Sequence, residues 1–560
     1  MLMCYDSGMS PETRTCESCT TSFTILPKDF ELYEKLRVNA PKLCPRCGIR
    51  RVMALRNERN VYQRKCDKCD KSGLSMYHKD APYVVYCHEC WWADDWSGKD
   101  YAMDYDPSQP LIDQFLELQA RIPREALINV NTINCDYTNM VRDSKDIYFC
   151  FQVDHTENAL YSIWLTGNSR DLIDSRKIIS GERIASSVDI VKCSNSAYLQ
   201  DCADSVDCYL SYDLKGCNNC LFSSNLRNKT NYVRNVPVTP EVFQAEKARV
   251  LNGSWATLQK SIVEYEVLKN KAVRRFANIV KCNDVIGNYL DSSSSLRFCF
   301  ETINIEQCHA VISILNAKEV AYSYSIGVQP GEYMFGCSVI KGGSNLRFCF
   351  NLLTSSDCVL CDSLISSNNC IASVGLKHGE YSILNKQYSK EEYLKIQDEL
   401  FAKGELSDFP PVTFSAFAFN ETAAQDYYPM SEEEASSQGY HWQHDMTKTT
   451  GKETLNPEDV PDNIRDVDET MLKEILRCIK CDRNYRIVKA ELDLLKAFPL
   501  PLPRECPQCR MAERRLQRRP FELYHRSCMK PGCPNEFETS YSPDRPETIY
   551  CESCYQAEVA

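Results

Sequence analysis

The sequence predicts a mainly β protein in which a central parallel β-solenoid of six-residue repeats, broken by helical insertions, lies between two cysteine-rich modules. Three observations predict it. Pairs of cysteines recur in one order and spacing at both ends of the 560-residue chain, large apolar and small residues alternate at every third position through the middle, and helix signals interrupt that alternation at two places 150 residues apart.

The N-terminal array runs Cys16-x2-Cys19, 24 residues, Cys44-x2-Cys47, 18 residues, Cys66-x2-Cys69, 17 residues, Cys87-x2-Cys90. The C-terminal array, Cys478-x2-Cys481, Cys506-x2-Cys509, Cys528-x4-Cys533 and Cys551-x2-Cys554, keeps the same three gaps. A tetrahedral Zn2+ ion takes four thiolate sulfurs at about 2.3 Å, and two such knuckles supply them. These cysteines therefore predict four structural zinc ions, two at each end. A disulfide framework is the alternative for a chain with 32 cysteines, but the opening MLMCYDSGMS has neither a basic n-region nor an apolar h-region. A reducing, cytoplasmic location is expected. Iron would accept the same four sulfurs, and spacing alone does not separate the two metals.

The stretches CESCTTSFTILPKDFELYEKLRVNAPKLCPRCGIRR and CIKCDRNYRIVKAELDLLKAFPLPLPRECPQCRMAERR share a CxxC knuckle, an aromatic stretch, and P-x-x-C-P-x-C opening a short basic helix. In this they resemble the zinc-ribbon family of treble-clef type. A second pair of knuckles follows each, ending YVVYCHECWW and ETIYCESCY. With a cysteine-rich middle that carries NCLFSSNLRNK and YSILNKQYSKEEY, the layout is similar to that of large zinc-ribbon proteins of small-genome uncultured bacteria. The resemblance implies zinc, pairs 16/19 with 44/47 and 66/69 with 87/90 rather than interleaving them, and implies no particular activity. Two departures stand out: the CMKPGC knuckle is two residues longer, and Gly48 replaces the family's usual Arg. Neither removes a ligand, and His78 and His88 read as bystanders.

The formal charge of −12, with 25% charged and 43% hydrophobic residues, is that of a soluble globular chain, and no apolar run reaches the roughly 18 residues that span a bilayer. No membrane role is expected. Each Zn(Cys)4 centre would add a charge of about −2. This acidity argues against general coating of nucleic acid, yet residues 46–71 net +6 and residues 504–530 net +5. Both stretches join one predicted zinc site to the next and carry aromatics (Tyr62; Phe521, Tyr524). That mixture suits phosphate contact with base stacking, and it nominates Arg50, Arg51, Arg56, Arg64, Arg514, Arg515, Arg518 and Arg519 as nucleic-acid-binding residues. The same arginines would equally serve to neutralise dianionic zinc–thiolate centres.

In the middle, Leu172, Ile178, Ile184, Ile190, Ser196, Cys202, Cys208, Leu214, Cys220, Leu226 and Tyr232 fall six apart, with Ser175, Gly181, Ser187, Cys193, Leu199, Ser205, Ser211, Cys217 and Ser223 midway. The register returns at Ile340, Leu346, Leu352, Cys358, Leu364, Cys370 and Leu376, with Cys337, Gly343 and Cys349 among its small positions. A shifted run passes through Leu290, Leu296, Cys308, Ile314, Val320 and Ile326. Stacked coils need like residues above like, with buried reduced cysteines as small apolar fillers. A helix would show periods of three and four instead.

Residues 219–241 correspond to 369–391, and each copy leaves the repeats through helix. The first exit reads as two amphipathic helices broken near Gly253, the second as one helix from the capping box Ser389-x-x-Glu392 to Gly404. Helices there brace open edges. Residues 405–475 turn Pro-, Ser- and acid-rich and read as an extended linker, with FPPVTFSAFAFNETAAQDYYPM (409–430) expected to pack along the solenoid because it is too aromatic to stay solvated, and the section 453–474, net −6, expected to shield a basic module. The expected organisation is an N-terminal double zinc module (1–106), a helical connector (107–134), solenoid parts at 135–239 and 282–387 around a helical insertion (240–281), a helix (388–404), the acidic linker (405–475) and a C-terminal double zinc module (476–560).

The chain has no P-loop, GxSxG, HExxH or strand-borne GxGxxG, and its eight histidines are scattered. Zinc held by four sulfurs keeps no open position for water. The sequence therefore predicts a non-enzymatic scaffold that presents paired zinc modules on a rigid solenoid and binds nucleic acid or a ribonucleoprotein. A protein–protein interaction scaffold is the alternative, motivated by the acidity and by Trp91, Trp92 and Trp96. The enzyme alternative is a sugar-active or acyl-transferring solenoid carrying Asp201, Asp204 and Asp207, which also read as turn formers.

Overall fold

A left-handed backbone residue at every third position shapes the middle of the chain. From Asn168 to Arg234 each third residue has φ between 46° and 64°, and the run from Asn131 to Trp164 repeats the pattern. Asn and Asp, which tolerate this conformation, fill thirteen of the twenty-three corners between 168 and 234, easing a strain of roughly 1–2 kcal/mol per ordinary L-residue. Four corners return the chain beneath itself after twelve residues. Ile178 thus pairs in parallel with Ile190, Ile184 with Ser196, and Cys208 with Cys220. One extra residue enters at Gly167–Asn168, both with positive φ, and a Cβ at Gly167 would lie 2.6 Å from Ser180 Oγ.

The computed structural model describes residues 10–318, 323–326, 331–332, 336, 340–341, 344, 347, 352–446 and 448–559. The architecture is strand-rich. Residues 129–237 form a 14-stranded sheet that is parallel except for its closing hairpin, Thr230–Val233 with Val236–Pro237. Its first strand, Asn129–Asp136, starts the stack six residues before the expected boundary. Parallel pairing resumes at Ile279–Val280 and continues to a second closing hairpin, Glu380–Ile383 with Lys386–Gln387. Here too the spacing is twelve, as in Leu352 with Leu364 and Cys358 with Cys370. Val320, Cys337, Gly343, Leu346 and Cys349 of the expected repeat lie outside the described residues.

Inside the first stack, Leu172, Ile178, Ile184, Ile190, Cys202, Cys208, Leu214 and Cys220 form one buried cluster with Cys193, Leu199 and Cys217. The small residues do more than fill space. Ser211 Oγ donates to the Tyr209 carbonyl (2.8 Å) and accepts from the Ser223 amide (3.1 Å), one coil on. Cys202 Sγ does the same between the Gln200 carbonyl (3.3 Å) and the Leu214 amide (3.4 Å). Buried amides at the corners need such partners, so serine and cysteine act here as hydrogen-bonding groups as well as the apolar fillers the period suggested.

Both stacks end alike. Asn235 and Asn385, each with positive φ, grip the preceding coil by accepting from the amides of Ser224 (2.8 Å) and Val374 (2.9 Å). Helices follow: Pro240–Val250 and Trp255–Lys271 after the first, Lys390–Ala402 after the second, with Ser389 and Glu392 forming the expected capping box. Phe243, Val250, Leu258 and Tyr265 cover the outer row Ile173, Ala185, Ala197, Tyr209, Leu221 and Val233. Residues 405–475 are packed, and the acidic section 453–474, expected as free linker, is packed as well as the aromatic stretch 409–430. Phe414, Phe419 and Tyr428 join one core and Val460, Ile464 and Met471 another, because too many of their side chains are apolar to remain solvated.

The two chain ends cross over. Ile49, Val52 and Met53 of the N-terminal helix Pro45–Met53 pack with Phe300, Ile312 and Ile371 of the second stack, whereas Leu492 and Leu495 near the C-terminus pack on Ile173 and Ala185 of the first. Each end also lends a short strand to the other lead-in, Val85–Tyr86 pairing with Arg124–Glu125 and Ile549–Tyr550 with Arg274–Arg275. Matching contacts recur across the molecule. Lys377 lies 4.5 Å from the Trp91 ring, and Arg227 lies 5.9 Å from the Tyr555 ring. The arrangement is therefore pseudo-twofold. Among the described residues no helix is long and apolar enough to cross a membrane.

Ile190→Ala should lower stability by about 2–5 kcal/mol through cavity formation. Ser211→Ala, which orphans a buried amide, should cost about 1–3 kcal/mol, both read by urea unfolding.

Candidate metal centres

Four cysteine tetrads assemble: Cys16/Cys19/Cys44/Cys47, Cys66/Cys69/Cys87/Cys90, Cys478/Cys481/Cys506/Cys509 and Cys528/Cys533/Cys551/Cys554. The grouping is sequential, and within each tetrad the sulfurs lie within 4.8 Å of one another. Local structure explains the convergence. The first knuckle of each tetrad sits on a tight turn, with positive φ at Thr20, Asp70, Asp482 and Gly532. The two extra residues of the 528–533 knuckle are absorbed in that turn, where the Cys533 amide donates to the Lys530 carbonyl (3.1 Å). Cys44, Cys87 and Cys506 are the residues that precede helices Pro45–Met53, His88–Trp92 and Pro507–Leu516, and Cys551 precedes Glu552–Val559.

One hydrogen bond recurs in all four. The amide of the third cysteine donates to the first sulfur, at 3.3 Å for Cys44 to Cys16, 3.2 Å for Cys87 to Cys66, 3.2 Å for Cys506 to Cys478 and 3.3 Å for Cys551 to Cys528. Sulfur separations of 3.7 Å (Cys19 to Cys44, Cys481 to Cys506) and 3.8 Å (Cys69 to Cys87, Cys533 to Cys551) match a tetrahedron of bonds of about 2.3 Å, whose edge is about 3.8 Å. The donor sets therefore fit a four-coordinate soft metal such as zinc. Such an ion would hold knuckle and helix together as a structural crosslink, and four sulfurs would leave it no site for water.

Each tetrad has one thiol poised to ionise first. Hydrogen bonding from Cys44 draws Cys47 down to about 5 against the effect of burial, assisted by the Arg50 charge. Burial opposes ionisation at Cys66 and Cys551, but the backbone amides of Cys87 and Lys68 bring the former to about 7, and the Asn535 side chain and Ser553 hydroxyl bring the latter to about 6. Cys478 is lowered in the same way, burial being overcome by the amides of Cys506 and Lys480. Neighbours such as Cys506, raised to about 11 by burial, stay protonated until a cation displaces the proton. His78 and His88 belong to no tetrad, and His88 Nδ1 lies 2.8 Å from Glu125. A fifth group, Asp143, Asp154 and His155, is tied up by Arg142, 2.6 Å from Asp154.

The arginines face inward. Arg510 and Arg514 both bind Asp174, the latter at 2.8 Å, while Arg518 binds Asp189 at 3.0 Å and also Glu301, and Arg519 binds Asp201 at 3.0 Å. The acceptors are corner residues of the first stack and one carboxylate of the second. Arg515 shares Asp426 with Arg59. At the other end Arg50 donates to Ser18 (2.8 Å) and Gln438 (2.6 Å), Arg51 to the Pro410 carbonyl (2.5 Å), and Arg64 to the carbonyls of His78 (2.8 Å) and Tyr83 (2.5 Å). Arg56 is buried against Glu58, at 3.0 Å. All eight nominated arginines are thus engaged within the chain, and Arg514 and Arg518 are buried. Sequence reasoning missed their carboxylate partners, although the Asp residues at corner spacing were visible. Trp91, Trp92 and Trp96 are likewise occupied, surrounding the Lys377 ammonium at 4.5, 5.0 and 5.3 Å. Asp201 and Asp207 are engaged with Arg519 and Lys247, and Asp201, Asp204 and Asp207 all occupy left-handed corners. No family model matches the chain, and neither does any curated protein or solved structure.

The purified chain should contain four zinc ions by mass spectrometry, and Cys509→Ser should retain three. Arg518→Ala, which strands Asp189 in the interior, should cost about 3–5 kcal/mol, whereas replacing both partners with apolar residues should recover most of it. Burial would raise Asp189 and Asp426, but the Arg518 charge and the Arg59 charge respectively hold both below the usual carboxylate range. Their stabilisation is therefore complete above the unfolded value of about 3.9 and lost as pH falls through the lower folded value, so acid unfolding monitored by tryptophan fluorescence should begin only below about pH 4.

Proposed function

We propose that the chain is a non-enzymatic protein-binding scaffold, made of two β-solenoids of twelve-residue coils that are cross-tied by two double-zinc modules of treble-clef type. Each coil comprises two of the six-residue repeats, which is why the sequence period is six and the pairing register twelve. The modules span about 1–106 and 476–560 and the solenoids about 129–239 and 279–387, with zinc as the ion in all four tetrads.

The observation that carries this reading is the inward commitment of the arginine helices. A guanidinium held at 3.0 Å by a buried aspartate in a seam between two parts of the chain has no free face for a phosphate. The basic inter-site stretches thereby serve as clamps that seat each zinc module on a solenoid. What is left outside is acidic, in keeping with a charge of −12 before zinc–thiolate centres add to it. A cytoplasmic setting accords with 28 cysteines among the described residues that are not joined in disulfides.

Fluorescence anisotropy of the zinc-loaded chain with short labelled RNA and DNA should show no binding at 50 mM salt, a condition that favours nucleic-acid contacts. Binding that weakens linearly with log salt would restore nucleic acid as the partner and overturn this reading.

A further inference from the structure

The four tetrads are not equally enclosed. Three cysteines are buried in Cys16/Cys19/Cys44/Cys47 and two in each C-terminal tetrad, but in Cys66/Cys69/Cys87/Cys90 only Cys66 is. Cys69 is the one exposed cysteine among the described residues. Chelators strip zinc from small metal-dependent folds, and an exposed ligand sulfur gives them an approach.

The helices that follow the tetrads differ in the same sense. Pro45–Met53, Pro507–Leu516 and Glu552–Val559 have 9, 10 and 8 residues, and they send Ile49 and Val52, Met511, and Tyr555 and Val559 into apolar clusters. His88–Trp92 has 5 residues, of which only Trp91 is buried. A helix this short is not stable alone, so its shape depends on Cys87 and Cys90 being held. The Lys71–Glu89 pair between the two knuckles, at 3.2 Å, lies in solvent and adds little.

What hangs on that helix is a grip on the second stack. The Trp91 carbonyl accepts from both Lys377 Nζ (2.8 Å) and Trp96 Nε1 (2.9 Å), and Trp92 Nε1 donates to Glu125 (2.8 Å). These bonds arrange the three indoles around the Lys377 ammonium. The equivalent contact in the other half is built differently, since Arg227 and Tyr555 share the carboxylate of Asp213, 3.0 Å from Arg227. Among the described residues Lys377 contacts the one carbonyl and the three rings, and no carboxylate. Its hold therefore lasts only while the short helix keeps its place.

We infer that Cys66/Cys69/Cys87/Cys90 is the exchangeable metal centre of the four and acts as a latch. With zinc bound it keeps the indole cage closed on Lys377, and when zinc leaves the cage opens and the N-terminal module loosens from the second stack. The inference rests on zinc filling all four tetrads. Because coupling is reciprocal, whatever keeps the cage closed must also slow loss of the ion.

The zinc-loaded full-length chain, incubated with excess EDTA and followed by native mass spectrometry and tryptophan emission, tests this. A three-ion form should accumulate, the first ion leaving roughly tenfold or more faster than the second, and emission should move to longer wavelength in step with that first loss. Cys69→Ser should be isolated with three ions, show the shifted emission from the start and lack the fast phase. Lys377→Met, which leaves the tetrad intact, should release the first ion faster than the parent. A chain isolated without zinc would overturn the metal assignment and this inference with it. Four ions leaving at one rate, a fast phase that survives in Cys69→Ser, a three-ion form with unchanged emission, or an unaltered first rate in Lys377→Met would overturn the latch alone.

Discussion

A corner every three residues is the constraint on which the rest of the molecule depends. It fixes a twelve-residue return, and the return stacks like side chains above like, so several inward rows together form the core while one outward row receives the helices. It also determines where charge can sit. Corner side chains point away from the core in vertical columns twelve residues apart, and one such column is Lys177, Asp189, Asp201 and Asp213. Three of these aspartates meet basic or phenolic groups from elsewhere in the chain, Arg518, Arg519 and Tyr555. Backbone geometry thereby lays out the acidic half of an interface before any partner arrives.

The basic half is positioned by the cysteine tetrads. Arg510, Arg514, Arg515 and Arg518 lie on or just past helix Pro507–Leu516, whose first turn follows the ligand Cys506 and includes the ligand Cys509. An ion binding that tetrad would fix the direction of the helix and so the reach of each guanidinium. Burying several charges in one seam is costly unless every partner is present. The seam is therefore selective: a displaced helix loses several ion pairs at once, and an apolar face of similar area would tolerate sliding.

Much of this was legible in the sequence for a physical reason. Metal ligation, coil stacking and helix capping all act at fixed sequence separations, so the four tetrads, the six-residue period and the Ser389–Glu392 cap leave periodic or short-range traces. The arginine seam leaves none. Arg518 and Asp189 are 329 residues apart, and nothing local distinguishes an arginine that will meet phosphate from one that will meet an internal carboxylate. The start of the first stack was hidden because its opening coil sets Asn129, Thr132 and Cys135 opposite Val141, Ser144 and Ile147, muting the apolar signal. Within 405–475 the aromatics of 409–430 announced their packing, whereas that of 453–474 was obscured by charge, since its eight acids outweigh the few apolar residues, Val460, Ile464 and Met471, that are buried.

The crossing of the two ends has a consequence in time. During synthesis the N-terminal cysteine region emerges first, yet Phe300, Ile312 and Ile371, with which Ile49 and Met53 pack, emerge some 250 to 320 residues later. At about 5–20 residues per second that interval is roughly 12–65 s, during which an apolar helix face has no partner. The C-terminal region meets no such delay, because the first stack is complete long before it appears. The two nearly equivalent halves thus face opposite histories on the ribosome, and the early one is the half that needs protection while it waits.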